Sequence, residues 1–167
     1  MDSSASRRLR VEDLGITDSL VQLSFLVQDV LAGLAAAHDL SPQQARLLGI
    51  LRDREPGMAR LAELLELDKS SATGLVTRAE RRGLVERRTV PEDRRAVRVA
   101  LSEQGRELAS TLTEQVDQEL HRLVEGMTAS NRDRLSRLAS QIVHLYAHGK
   151  GIQLSPAIDP PTTGARR

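Results

Sequence analysis

Apolar positions recur at three- and four-residue steps along most of this chain. Leu20, Leu23, Leu26, Val27, Val30, Leu31 and Leu34 predict a long helix opening at Thr17 or Asp18 and running to about His38. Val21, Phe25 and Ala35 to Ala37 broaden its apolar arc, so more than one neighbour should bury it. Asp39-Leu40 reads as a turn. Ser41-Pro42-Gln43-Gln44 is a helix start with a Ser cap, a Pro at the first position and a capping-box Gln. Ala45, Leu47, Leu48, Ile50 and Leu51 carry that helix to about Asp53, and Glu55-Pro56-Gly57 stops it. Met58 is expected to form a one-residue strand. Arg60 to Leu65 is a short helix with Leu61, Leu64 and Leu65 inward, followed by a turn at Glu66-Leu67.

The next helix, Lys69 to Arg82, differs in kind. Asp68 can cap it by accepting from the free backbone N–H of Ser71, and Gly83 supplies the left-handed residue that ends it. On a helical wheel Ala72, Leu75, Val76 and Ala79 share a narrow apolar face. Ser70, Thr73, Gly74, Thr77, Arg78 and Arg81 share the opposite one. Solvated faces usually carry Glu, Lys and Gln. Short hydroxyls, a glycine and arginines instead suit a helix that sinks into a DNA major groove. The glycine has a cost of about 1 kcal/mol against Ala in a helix interior.

Two strand patterns follow, Gly83 to Arg88 and Ala96 to Leu101, with Val97, Val99 and Leu101 on one side. Between them lies a charged loop, Thr89 to Arg95. Such a hairpin behind a helix-turn-helix is a wing. Arg95 at its tip can enter a narrow minor groove, and Asp93, two residues away, can hold the guanidinium in place.

The run Leu61-Ala62-Glu63-Leu64-Leu65-Glu66-Leu67-Asp68-Lys69-Ser70-Ser71, with Arg78, Arg82-Gly83-Leu84-Val85-Glu86-Arg87, Asp93-Arg94-Arg95 and Leu101-Ser102, resembles the MarR family of winged-helix transcriptional regulators. The likeness spans roughly residues 18 to 148. Ser102 replaces the family's usual threonine, and Ala79 stands where a larger apolar residue is common. The resemblance implies a mainly α fold with a small β-wing. A winged helix-turn-helix core would join a helical dimerisation layer built from the N- and C-terminal helices. It implies a homodimeric repressor on an inverted-repeat operator, its recognition helices in successive major grooves roughly 34 Å apart. Ser70, Ser71, Thr73, Gly74, Thr77 and Arg78 would face bases and flanking phosphates. Arg95, oriented by Asp93, would enter the minor groove. Arg81, Arg87, Arg88 and Arg98 would touch the backbone. The family also implies a small aromatic or phenolic effector, with His38, Arg46 and Arg52 as crude pocket candidates.

The layout that follows is a flexible segment over 1–16, a winged helix-turn-helix over 41–102, a dimerisation region over 17–40 and 103–148, and a disordered tail over 149–167. In the second part of the layer, Ser102-Glu103-Gln104 opens a helix with a seam of Leu108, Leu112, Val116, Leu120 and Leu123. Gly126 breaks it. Ser130 to Asp133 starts the last helix, with Leu135, Leu138, Ile142 and Leu145 inward. The first segment carries Arg7, Arg8 and Arg10 and the tail Arg166 and Arg167; solvated termini fit better than DNA contacts.

Composition narrows the classes. With one Phe, one Tyr and no Trp among 167 residues, the core must be Leu, Val and Ala, which suits helices. Net charge is only +1, yet Ser41 to Ser102 holds 13 basic against 9 acidic residues. Arg78 to Arg98 holds 8 against 4, so the excess sits in the recognition helix and wing. Without cysteine there are no disulfides or thiolate metal sites. No apolar run approaches the roughly 18 residues of a membrane span, and no signal-peptide pattern follows the first Met. A cytoplasmic protein is expected.

Enzyme motifs are missing: no phosphate loop after a strand, no nucleophile elbow, and no cofactor site is expected. His144 and His148 lie four apart on one helical face, a legal spacing for two metal ligands. They leave a zinc-responsive regulator, or a small metal enzyme, as alternatives, though no acids stand close by. Two histidines favouring a helix C-terminus explain the pair as well. A winged-helix module that binds protein is the remaining alternative. It would want acids or apolar residues on the outer face of 69–82.

Overall fold

The computed structural model of the protein describes residues 12–90 and 93–149, and for 90 and 93–96 the backbone alone. Among the described residues six helices and one hairpin follow in the order α1 (Gly15–Ala37), α2 (Pro42–Leu51), α3 (Met58–Leu65), α4 (Lys69–Arg81), β1 (Val85–Val90), β2 (Asp93–Leu101), α5 (Glu103–Leu123) and α6 (Ala129–Gly149). The segments 1–11 and 150–167 lie outside the described residues, and with them the terminal arginines and nearly all of the expected tail.

The core is aliphatic. Leu47, Leu48 and Leu51 of α2, Leu61 and Leu65 of α3, and Leu75, Val76 and Ala79 of α4 meet Leu84, Val85, Val99 and Leu101 from the hairpin. Ala109 and Leu112 of α5 close it. Sequence cues set the boundaries within this body. The Ser41–Gln44 capping box forms in both directions. Glu66 takes a left-handed turn at φ 56°, and its neighbour Leu67 donates from its backbone N–H to Ala62 O at 3.0 Å. Gly83, at φ 71°, ends α4 as expected.

β1 and β2 pair antiparallel, Val85 opposite Leu101 and Thr89 opposite Val97, with an irregularity between Thr89 and Val90. The strands reach further than expected: β1 runs to Val90 and β2 starts at Asp93, so much of the expected 89–95 loop is strand. Thr89 and Val90 are β-branched, which favours the extended backbone. Val97 departs from the inward set and is exposed, whereas Val99 and Leu101 are buried. The short strand outside the wing also shifts by one: Gly57, not Met58, bridges Arg98, and Pro56 O accepts from Val99 N at 3.0 Å. Met58 is instead the first residue of α3.

At the base of the wing, Ser102 caps α5 by accepting from Gly105 N while its hydroxyl donates to Gly83 O. Leu84 O lies so close to Gly105 that a Cβ there would stand 1.9 Å from it.

The outer helices contrast with this body. In α1 only Ala35 is buried, and Leu20, Leu23, Phe25, Leu26 and Leu31 are exposed. In α6 only Ala147 is buried; Leu135, Leu138, Ile142 and Leu145, expected inward, are exposed in the single chain. The seam of α5 likewise opens towards Leu123, which is exposed. Helix α6 starts at Ala129, one residue before the expected Ser130, and Thr128 Oγ1 accepts from Asn131 N at 3.3 Å. The sequence also understates α1. It has 23 residues, its mean hydropathy reaches 1.7, and only 6% of that window is buried, so by length and composition it could cross a membrane. Gln22, Ser24, Gln28 and Asp29 break its apolar run without bringing the mean below that of a membrane span.

Candidate nucleic-acid interface

Helix α4 is built as an outward-facing reader. Its apolar side, Ala72, Leu75, Val76 and Ala79, is buried. On the other side Ser70, Ser71, Thr73, Arg78 and Arg81 are exposed, and Gly74 and Thr77 are half-buried. Asp68 caps the helix more fully than expected. Its Oδ1 accepts from the backbone N–H of both Ser70 and Ser71 at 2.9 Å. The two hydroxyls also donate to this carboxylate, Ser70 Oγ to Oδ1 and Ser71 Oγ to Oδ2, each at 2.6 Å. These bonds, the Ser70 hydroxyl foremost, hold the Asp68 carboxyl far below the usual carboxylate range. Thr73 Oγ1 donates to Lys69 O at 2.7 Å.

A shallow groove of about 310 Å³ runs beside this face, lined by Gln43, Leu67, Ser70, Ser71, Gly74, Leu75 and Arg78. A Cβ at position 74 would stand 3.3 Å from Arg78 Nη1. The glycine therefore gives the guanidinium room to lie back along the helix. Gln43 was not among the expected contacts. It sits in the first turn of α2, and only the packing of α2 on α4 brings it to the groove; its local sequence signals a helix start and nothing more.

Four arginines divide into two pairs. Arg81 and Arg98 are exposed and make no ion pair among the described residues. Arg87 and Arg88 are occupied within the chain. Arg87 Nη1 donates to Glu80 Oε2 at 2.5 Å, and its Nη2 donates to Thr77 Oγ1 at 3.3 Å, bracing the wing against α4. Arg88 meets Glu86 at 2.5 Å and Glu55 at 2.7 Å, bracing the wing against the loop before α3. Its pKa is raised, chiefly by the Glu86 hydrogen bond and further by Glu55. Asp93 and Arg95 belong to β2 by their backbone, and their side chains lie outside the described residues.

The same architecture occurs in known proteins. A sequence model of the MarR family matches residues 38–96. The homoprotocatechuate degradative operon repressor of Escherichia coli is 27% identical over 132 residues, covering 78% of this chain and 88% of that one. The crystal structure of RV1404 from Mycobacterium tuberculosis, 28% identical, superposes with a TM-score of 0.68 over 83% of this chain and 94% of the other. Apo MarR from E. coli, 22% identical, shares the fold with a TM-score of 0.65 over 78% and 98%. Over residues 38–96 the chain is similar in sequence to the MarR family, and its fold is that of MarR.

These likenesses support a DNA-binding transcriptional regulator, with α3 and α4 as the helix-turn-helix and β1 and β2 as the wing. The three residues expected around an effector do not converge. His38 Nε2 bonds to Gln115 Oε1 at 2.8 Å. Arg46 donates to Leu64 O at 3.2 Å and to Glu66 at 2.9 Å. Arg52 pairs with Asp53 and donates to Thr113 Oγ1 at 3.1 Å. Thr113 and Gln115 face opposite sides of α5, and Arg46 turns towards α3. Neither described cavity is lined by any of the three; the larger, about 730 Å³ and open, lies among Asp117, Gln118, His121, Arg122, Glu125 and Arg132. His144 and His148 are exposed on α6, and among the described residues no three His, Asp or Glu side chains gather as metal ligands.

Proposed function

We propose that this protein is a cytoplasmic MarR-family repressor without catalytic activity, which binds an inverted-repeat operator as a homodimer. One observation carries the DNA reading: the outer face of α4 presents Ser70, Ser71, Thr73, Thr77, Arg78 and Arg81, with the arginine-bearing wing braced beside it. In each half-site α4 lies in the major groove, with Gly74 letting the backbone approach. The wing brings Arg95, held by Asp93, to the minor groove. Arg81 and Arg98 take phosphates, while Arg87 and Arg88 act through the wing's orientation. The exposed apolar faces of α1 and α6 are covered by the second copy.

The E. coli relative is named for repressing a homoprotocatechuate degradative operon. By that likeness we assign the present protein a small phenolic or other aromatic effector that releases it from DNA. The test is a gel shift with the DNA immediately upstream of the protein's own reading frame. A sequence-specific shift that weakens with salt, and that phenolic acids reverse, is expected. No shift on this or any duplex would end the reading.

A further inference from the structure

Each hydroxyl on the outer face of α4 has a single proton, and the structure fixes where it goes. Ser70 and Ser71 hydroxyls lie 2.6 Å from the two Asp68 oxygens. An ionised carboxylate can only accept, so both hydroxyls donate inward. Thr73 Oγ1 lies 2.7 Å from Lys69 O, and a carbonyl likewise can only accept. These three hydroxyls therefore turn only lone pairs outward. The backbone N–H groups of Ser70 and Ser71 are also consumed by Asp68. The start of α4 thus has no free donor among these groups for a phosphate. Thr77 is the reverse case. Arg87 Nη2 donates to its oxygen at 3.3 Å, and a guanidinium can only donate. The Thr77 proton is left to point away, next to the donor-only Arg78.

We infer that α4 reads DNA with a fixed polarity: its N-terminal half, Ser70, Ser71 and Thr73, accepts, and its C-terminal half, Thr77 and Arg78, donates. The inference rests on the DNA-binding reading above and adds which bases it selects. In the major groove only adenine N6 and cytosine N4 offer donors, while guanine O6 and N7, thymine O4 and adenine N7 accept. Each half-site therefore places adenine or cytosine against the N-terminal half and a base other than cytosine, guanine with its two acceptors foremost, against the C-terminal half. Asp68 is a positioning residue that sets this code without touching DNA.

The test is selection of duplexes from a randomised library by the full-length protein and its Ser71→Ala and Asp68→Asn variants. Asn caps a helix as well as Asp does, but its amide nitrogen would face Ser71 Oγ as a donor and turn the Ser71 proton outward. The base position whose preference disappears in Ser71→Ala is expected to be adenine or cytosine in the parent. In Asp68→Asn its preference over guanine or thymine should fall about three- to tenfold, with circular dichroism unchanged. A second arm needs no variant: replacing that adenine by purine, or that cytosine by 2-pyrimidinone, removes only the amino group. It should weaken binding by the parent three- to tenfold. Guanine or thymine at that position in the parent, a preference untouched by Asp68→Asn in a folded variant, no position responding to Ser71→Ala, or full affinity for the amino-less duplex would each overturn the polarity. Enrichment of no duplex at all would overturn the DNA reading, and the polarity with it.

Discussion

At the residue scale, the arginines show why exposure and partnership must be read together. Arg81 is exposed and meets no acid among the described residues. Its charge is therefore available to a phosphate. Arg81→Ala should reduce the salt slope of operator binding by about one unit while the selected sequence stays the same; titrations at several salt concentrations measure both. Arg87 engages Glu80 through Nη1 and Thr77 through Nη2, so Arg87→Ala should change sequence preference and leave the salt slope nearly intact. Arg95→Ala should weaken binding strongly without altering dimerisation, and an unchanged affinity across salt would remove the wing tip from the interface. Asp68 adds a statement about pH. Its folded-state pKa is depressed, so its stabilising contribution is fully present above the unfolded carboxylate value of about 4. That contribution is lost only as pH falls through the lower, folded value. The Ser71 amide resonance should therefore stay flat across the neutral range and move only in strong acid.

At the scale of elements, local chemistry and long-range packing separate cleanly. The capping box at Ser41, the Asp68 cap and the Gly83 terminator each depend on residues within four positions of one another, and their residues could be read directly. The outer face of α4 was legible for the same reason, since helical periodicity alone places Ser70, Thr73, Thr77 and Arg78 together. What escaped depends on distant partners. Arg88 pairs with Glu55 across 33 positions and Arg82 with the carbonyl of Asp39 across 43. No periodicity announces such pairs, so Arg87 and Arg88 read as free charges. The extra length of the strands escaped because their charged tip looks like a loop. The junction of wing and α5 escaped too: nothing in Ser102-Glu103-Gln104-Gly105 shows that Leu84 O will press on Gly105. That contact makes a prediction. Gly105→Ala must push α5 off the hairpin, because a Cβ would meet a backbone carbonyl at 1.9 Å. A cost of about 1–3 kcal/mol is expected for such overpacking, read as a thermal midpoint several degrees lower.

At the scale of the whole molecule, the question is what covers the apolar surface that one chain leaves open. On α1 it includes Leu20, Val21, Leu23, Phe25, Leu26 and Leu31; on α6, Leu138, Ile142, Val143, Leu145 and Tyr146. So many large exposed side chains on two helices exceed what a monomer ordinarily leaves in water. A bilayer would suit α1 by length, but α6 argues against it. Arg132, Asp133, Arg134 and Arg137 stand on the same helix as the exposed leucines, and burying such charges in hydrocarbon is costly. A second copy solves both, because a two-fold interface buries the same patch twice and leaves the charges at its rim. The parent should therefore sediment as a dimer without detergent. Leu138→Glu combined with Ile142→Glu should yield a folded monomer, since neither residue is buried in the isolated chain. Its affinity for a full inverted repeat should fall to that for a half-site, because two recognition helices no longer bind as one unit. A parent that sediments as a monomer, or a variant that stays dimeric, would place the interface elsewhere and leave the spacing of the two α4 helices to be set by different surfaces.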